Sequence, residues 1–250
     1  STAWLTERMT TKSEQTREAL VETALAMFRE HGYEKTTMRA IAAEAGVSQG
    51  NAYYYFDGKD ALVQQLYLRL QAEHRDAALA AIRDGAPLAD NLCALWRAGI
   101  DVMEPYHGFG STLLTTALQA SSGTSPLSGA SAQARDDAIG LVADVLGRSK
   151  GVPGGALRRQ LPMLLWLVYL GVTLHWVCDD SEQRARTMTL IDGVAPILAR
   201  MLMLARLPVG CGLVADITAL VEKLAPTGSL PTALSEPASR TSSTVRTEDD

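Results

Sequence analysis

Cysteine is scarce in this chain of 250 residues. Cys93, Cys178 and Cys211 lie far apart in apolar surroundings, and no pair has the spacing of a metal or redox motif. An odd number without such spacing implies reduced, buried thiols in a cytoplasmic protein and excludes a disulfide framework. A basic excess is also lacking, since 23 Lys and Arg face 28 Asp and Glu for a net charge of -5. Even residues 1–60 carry seven basic against nine acidic side chains. Bulk-charge, histone-like binding of nucleic acid is thereby excluded, but binding directed by a local motif is not. No HExxH-type cluster surrounds His107 or His175 and no Gly-rich phosphate loop is present, so no enzyme activity, metal or cofactor is expected. The amino-terminal residues show no basic segment leading into an apolar run, so no signal peptide is expected. Long apolar runs are few. Residues 161–178, LPMLLWLVYLGVTLHWVC, are the main one. As a helix they reach about 27 Å, just short of the roughly 30 Å hydrocarbon core. With Pro162 and His175 inside and Asp179 and Asp180 following, the run reads as a helix buried inside an oligomer, not as a membrane span.

No segment alternates as a strand does, and an all-α fold is predicted. Residues 1–12 read as a flexible arm. A helix over 13–30 follows, with Leu20, Val21, Ala24, Leu25 and Phe28 as its apolar stripe and Gly32 past its end. Thr37 caps a second helix whose inner face is Met38, Ile41, Ala42 and Ala45, and Gly46 closes it. Ser48 caps a third helix to Tyr54 or Tyr55, and Asp57 a fourth that carries Asp60 in its first turn and runs to Gly85–Pro87. Helices are predicted over 88–102, 104–120, 132–147, 155–178, 183–207 and 211–225, with a loop over 121–131. Pro162 and Pro196 are expected in first turns or at bends. Residues 226–250, rich in Ser, Thr and Pro, read as a disordered tail.

Residues 36–59, TTMRAIAAEAGVSQGNAYYYFDGK, have the build of a helix-turn-helix, whose second helix lies in the DNA major groove. Small Ala42 and Ala45 let two short helices cross closely, Gly46 supplies the turn and Val47 plugs the corner. The run Thr37, Ile41-Ala42, Ala45-Gly46-Val47-Ser48, Gly50, Tyr53-Tyr54, Phe56, Lys59 and Leu62 resembles the amino-terminal domain of the tetracycline-repressor (TetR) family of transcriptional regulators. Tyr55 stands where His is usual, and Ala52 is smaller than the frequent Leu. The resemblance covers about residues 13–62. It implies a helix-turn-helix domain over 13–60 and a larger effector-binding and dimerisation domain over 61–225. Gln49 and Asn51 carry amides suited to adenine edges, and Gly50 allows close approach to the groove floor. Tyr53 and Tyr54 fit phosphate or sugar contacts. Thr37 and Lys59 stand at helix amino ends where backbone N–H groups assist phosphate binding. Ser48 is a cap or a contact, and Arg39 a phosphate contact or a solvated charge. Tyr55 and Phe56 belong to the core.

The resemblance further implies a cytoplasmic regulator of operator DNA, a repressor by family habit. It would act as a homodimer on a palindromic operator and be released by a small-molecule effector. Residues 161–207 resemble, more loosely, the carboxy-terminal part of some members. The helices over 155–178 and 183–207 are apolar on opposite faces. Leu164, Leu167 and Leu174 lie opposite Leu161, Leu165 and Val172, so a second chain is expected to cover one side through a four-helix interface. Trp96, Met103, Tyr106, His107, Phe109, Trp166, Tyr169, His175 and Trp176 are the candidates to line an effector cavity, each with core packing as the alternative. Tyr106 and His107 lead because they follow Pro105 near a helix start. An apolar or aromatic effector is expected. The competing reading is a helical protein-binding module that uses the helix-turn-helix as a scaffold without reading DNA.

Overall fold

A computed structural model describes residues 12–108, 110 and 125–204. The expected tail over 226–250, the helix expected over 211–225, residues 1–11 of the arm, Cys211 and Phe109 lie outside the described residues. Among the described residues the fold is all-α, as predicted. Helices α1 (Lys12–His31), α2 (Met38–Glu44) and α3 (Gln49–Tyr55) come first, followed by α4 (Lys59–Ala81) and α5 (Leu88–Met103). A 3-10 turn (Glu104–Tyr106) precedes α6 (Ala132–Arg148) and α7 (Gly155–Val177); a second 3-10 turn (Glu182–Arg184) leads into α8 (Ala185–Leu204).

Two apolar cores form. The first joins the α1 stripe of Leu20, Val21, Ala24, Leu25 and Phe28 to Ile41, Ala52, Phe56 and Leu62. The second gathers α4 through α8 around Trp96, Leu92, Leu95, Leu141, Leu161, Leu165 and Ile191. Helix α4 serves both, through Leu62, Val63 and Leu66 at its start and Ala78 near its end.

Local chemistry explains the boundaries. The Thr37 and Ser48 hydroxyls cap α2 and α3 as expected, accepting from the N–H groups of Ala40 and Asn51, each at 3.1 Å. Gly46 takes φ +69°, and the N–H groups of Gly46 and Val47 return to the carbonyls of Ala43 and Ala42. That paired closure is the left-handed stop that only glycine adopts cheaply. Asp57 does not cap α4. The helix begins after an extended Gly58 with no side-chain cap, because its first turn is held from the other side. Lys59 Nζ donates to the Tyr33 carbonyl at 2.7 Å, and the Tyr33 hydroxyl donates to Asp60. Helix α4 also stops at Ala81, before Gly85, since Ile82 turns extended to bury its side chain and Arg83 exchanges two hydrogen bonds with Asn91. Pro162 and Pro196 sit inside α7 and α8 rather than in first turns, so each leaves a preceding carbonyl without its helical donor. Cys178 is exposed rather than buried, because it is the residue that ends α7 at an outer corner.

The corner from α7 to α8 is fixed by Asp179. Its buried carboxylate accepts from the backbone and hydroxyl of both Ser181 and Thr187. Burial alone would raise its pKa, but these four bonds hold it well below the usual carboxylate range. The Thr187 hydroxyl spends its proton on Asp179, so it accepts from His175 Nδ1 at 3.0 Å.

Candidate functional site

Helix α3 divides its residues cleanly. Ala52 is fully buried and Phe56, just past its end, is 4% exposed, which pins one face to the first core. Gln49, Gly50 and Asn51 are exposed, and Tyr53 and Tyr54 stand 46% and 80% exposed. Tyr55 is half-buried against Ser13 Oγ at 3.1 Å. Thr37 and Ser48 are also exposed. Each hydroxyl oxygen accepts a backbone N–H within its cap, which leaves the hydroxyl hydrogen available to a phosphate. Arg39 is exposed on α2. Lys59 is placed differently from the others. It is half-buried, and its ammonium lies 4.2 Å from the Tyr33 ring centroid while bonding the Tyr33 carbonyl. Eight of the nine expected DNA-contacting residues therefore present themselves outward, and the ninth is tied into the α1–α2 loop.

A cavity of about 200 Å³ lies between α4, the first 3-10 turn, α6 and α7. Of the nine sequence candidates, Met103, Tyr106, Trp166, Tyr169 and Trp176 line it. Trp96 is fully buried in the second core. His107 packs edge-on against Trp176, its ring centroid 4.9 Å away, and donates from Nε2 to the Trp176 carbonyl at 2.9 Å. His175 is spent on Thr187. The two histidines thus brace α7 and are not among the lining residues. The aromatic walls are themselves held: Trp176 Nε1 donates to Glu104 at 3.0 Å, and Tyr169, its hydroxyl pKa raised by burial, lies over Gly99 beside His74.

Residue-type reasoning missed Leu66, Tyr67, Leu70, Gln71, Arg135 and Thr173 in the lining. One signal was in the sequence. Arg135 shares the helical face of Ala138, Val142 and Val145, all buried, so periodicity alone turns this charge inward.

Contacts run from the cavity to the first core. Tyr106 lines the cavity, packs on the first core and lies 5.5 Å from the Arg29 guanidinium of α1. Leu66 belongs to the first core and to the cavity wall. Arg69 of α4 pairs with Glu18 and Glu22 of α1.

Beneath the cavity, His74 is 5% exposed, with Nε2 donating to the Leu95 carbonyl at 2.8 Å. Burial lowers its pKa, and the bond to Leu95 offsets this only in part. The unfolded chain therefore takes up a proton near pH 6.5 that the folded chain refuses, and stability falls as pH drops below that point. We expect the melting temperature to decline between about pH 7 and pH 5, with a shallower slope in His74→Gln. An equal slope in the two proteins would contradict this assignment.

Residues 20–66 match the model of bacterial regulatory proteins of the tetR family, and residues 91–213 that of a tetracyclin repressor-like C-terminal domain. The chain belongs to the TetR family. Among curated TetR-family relatives, a probable acrEF/envCD operon repressor of Escherichia coli K12 is 43% identical over 61 residues, 24% of this chain and 28% of the relative. The transcriptional repressor KstR2 of Mycobacterium tuberculosis H37Rv is 36% identical over 93 residues, 35% of this chain and 44% of the relative. The chain thus spans less than half the length of these relatives. A TetR-family regulator from Syntrophomonas wolfei superposes with a TM-score of 0.56 at 17% identity, covering 75% of this chain and 96% of its own. One from Streptomyces coelicolor gives 0.54 at 21% identity, covering 84% and 96%. These two likenesses establish the fold. Transcriptional regulation through DNA binding is the character of the family, and repressors are among the relatives.

Proposed function

We propose that this TetR-family regulator is a cytoplasmic repressor that binds a palindromic operator as a homodimer and leaves it when a small apolar or aromatic effector enters the cavity. Residues 13–60 read DNA, and residues 61–225 bind effector and dimerise. The observation that carries the DNA reading is the exposed face of α3, where Gln49, Gly50, Asn51, Tyr53 and Tyr54 project while Ala52 is buried. Gln49 and Asn51 read base edges, and Tyr53, Tyr54, Thr37, Ser48 and Arg39 hold the backbone. Lys59 joins them by exchanging its bond to Tyr33 for a phosphate.

Dimerisation rests on two apolar stripes. On α7, Leu167 and Leu174 are 36% and 45% exposed, with Gly171 between them; on α8, Ile197, Met201 and Leu204 are 54–62% exposed. A side chain built at Gly171 or Gly193 would meet nothing within 4 Å, so both positions leave room for a second backbone. Both helices are long and apolar enough to cross a membrane; a second copy covering the stripes accounts for the same composition. The effector acts through Tyr106, Leu66 and the Arg69 pairs by favouring a dimer shape whose readers no longer match the groove.

Selection from a random duplex pool tests the reading, and a palindrome whose affinity falls steeply with salt is expected. A folded dimer that enriches no sequence would return the protein-binding alternative. Gly50→Ala is the sharpest single change. A Cβ there meets nothing within 4 Å, and alanine favours a helix by about 1 kcal/mol. The variant should keep or gain stability yet lose about tenfold or more in operator affinity, the cost of one displaced base contact. Unchanged affinity in a gel-shift titration would place α3 away from the groove floor.

A further inference from the structure

Charge is nearly absent from the cavity wall. Arg135 is the one charged side chain among its described lining residues, and it is 5% exposed. Its Nη1 donates to the carbonyls of Pro126 and Ser128 at 3.2 and 3.1 Å, which pins the turn before α6. Both hydrogen bonds that it makes to described residues leave from Nη1, and neither involves Nε or Nη2. No carboxylate among the described residues pairs with it, whereas Arg69, Arg75, Arg97 and Arg186 each have one. Its sequence neighbours Asp136 and Asp137 are exposed on the far side of α6. Residues 111–124 contain no Asp or Glu.

A buried guanidinium without a counter-ion is costly, and the cost falls when an anion arrives. The open edge of Nε and Nη2 matches the two oxygens of a carboxylate. A single positive charge balances a monoanion and not a dianionic phosphate. The rest of the described wall is mostly apolar and aromatic, with Trp166, Trp176, Tyr169 and Tyr106 around about 200 Å³ and Ser131, Thr173 and Gln71 as its uncharged polar members. One further polar group is open, since Gln71 Oε1 is buried without a partner among the described residues and lies in the same wall.

We infer that the effector is an apolar or aromatic monocarboxylic acid, its carboxylate held by Arg135 and its body by the tryptophan wall, with Gln71 meeting a hydrogen-bond donor where the acid carries one. The inference rests on the cavity being the effector site. It is tested with trans-cinnamate and its neutral analogue cinnamyl alcohol, read by quenching of tryptophan fluorescence in the full chain and in Arg135→Met and Arg135→Lys.

Cinnamate should bind the wild type about tenfold more tightly than the alcohol, as expected of a charge-assisted pair. Arg135→Met should abolish that preference by weakening the acid alone, and Arg135→Lys should keep it in reduced form. The lysine variant carries the test if the methionine variant fails to fold. Equal binding of acid and alcohol to the wild type would overturn the carboxylate assignment and leave the cavity as effector site. So would an acid affinity untouched by either substitution. Absence of saturable binding by both probes would overturn both readings.

Discussion

Replacing Ile197 and Met201 together with glutamate should convert the protein to a folded monomer and abolish operator binding. The two side chains are 54% and 57% exposed in the single chain, so neither supports the monomer's core, and glutamate at both is a tolerable surface change there. Across the two-fold axis of the proposed dimer the same substitutions would bring four carboxylates into one apolar patch, where each unpaired charge costs several kcal/mol. An obligate apolar interface does not absorb that. The consequence for DNA is larger than the loss of one contact. A monomer holds a single α3 against a single half-site, and the second binding event, which is intramolecular in a dimer, no longer occurs. Affinity should fall by at least about a thousandfold, towards the non-specific level. Sedimentation velocity and a gel-shift titration on the same preparation decide the matter. A variant that remains dimeric, or a monomer that binds the operator as tightly as the wild type, would remove these stripes from the functional account.

The same stripes illustrate what the sequence makes legible. Periodicity places Leu20, Ala24 and Phe28 on one face and small residues at the helix crossing, because burial enforces both patterns locally. The caps at Thr37 and Ser48 are equally local, each a hydroxyl meeting an N–H three residues on. Asp57 was a sound cap by composition and is still not one. Tyr33, far away in sequence, holds Lys59 and Asp60 and sets where α4 begins. Tertiary partners of that kind leave no mark at the helix start itself.

The candidate site divides along the same line. On α3 the outward placement of Gln49, Gly50, Asn51, Tyr53 and Tyr54 follows from a single short helix with a buried Ala52, whereas Lys59, at the start of α4, is half-buried against Tyr33. The cavity is assembled from four separated segments. Aromatic content picks out Trp166, Tyr169 and Trp176, which line the cavity, but the same criterion admits Trp96, which is wholly core, and His107 and His175, which each spend a ring nitrogen, on a backbone carbonyl and on Thr187. Arg135 escaped because charge is ordinarily read as surface, although its helical register with Ala138 and Val142 turned it inward. A charged residue in phase with an apolar stripe is a stronger marker of a binding site than an aromatic one, since burial of the charge needs a reason.

Gly99→Ala should cost about 2 kcal/mol of stability and impair the effector cavity at the same time. A Cβ at this position would lie 2.0 Å from the Tyr169 hydroxyl and 2.8 Å from two atoms of the His74 ring. Neither neighbour retreats freely. His74 is held by the Leu95 carbonyl at 2.8 Å, and both side chains are buried. Overpacking of this kind costs about 1–3 kcal/mol or more, and alanine returns about 1 kcal/mol through helix propensity. The contact nearest the new carbon is the end of a side chain, so the least costly response is a shift of Tyr169, which lines the cavity. The melting temperature should fall by about 4–8 °C for a chain of this size, and a probe that binds the wild-type cavity should bind more weakly. Tyr169→Phe in the same background removes the atom at 2.0 Å and should recover most of the loss, leaving only the His74 contact. That rescue separates a packing defect at one hydroxyl from general damage to α5. A Gly99→Ala protein as stable as the wild type, or a double variant no better than the single one, would show that α5, α4 and α7 do not close on Gly99 as described.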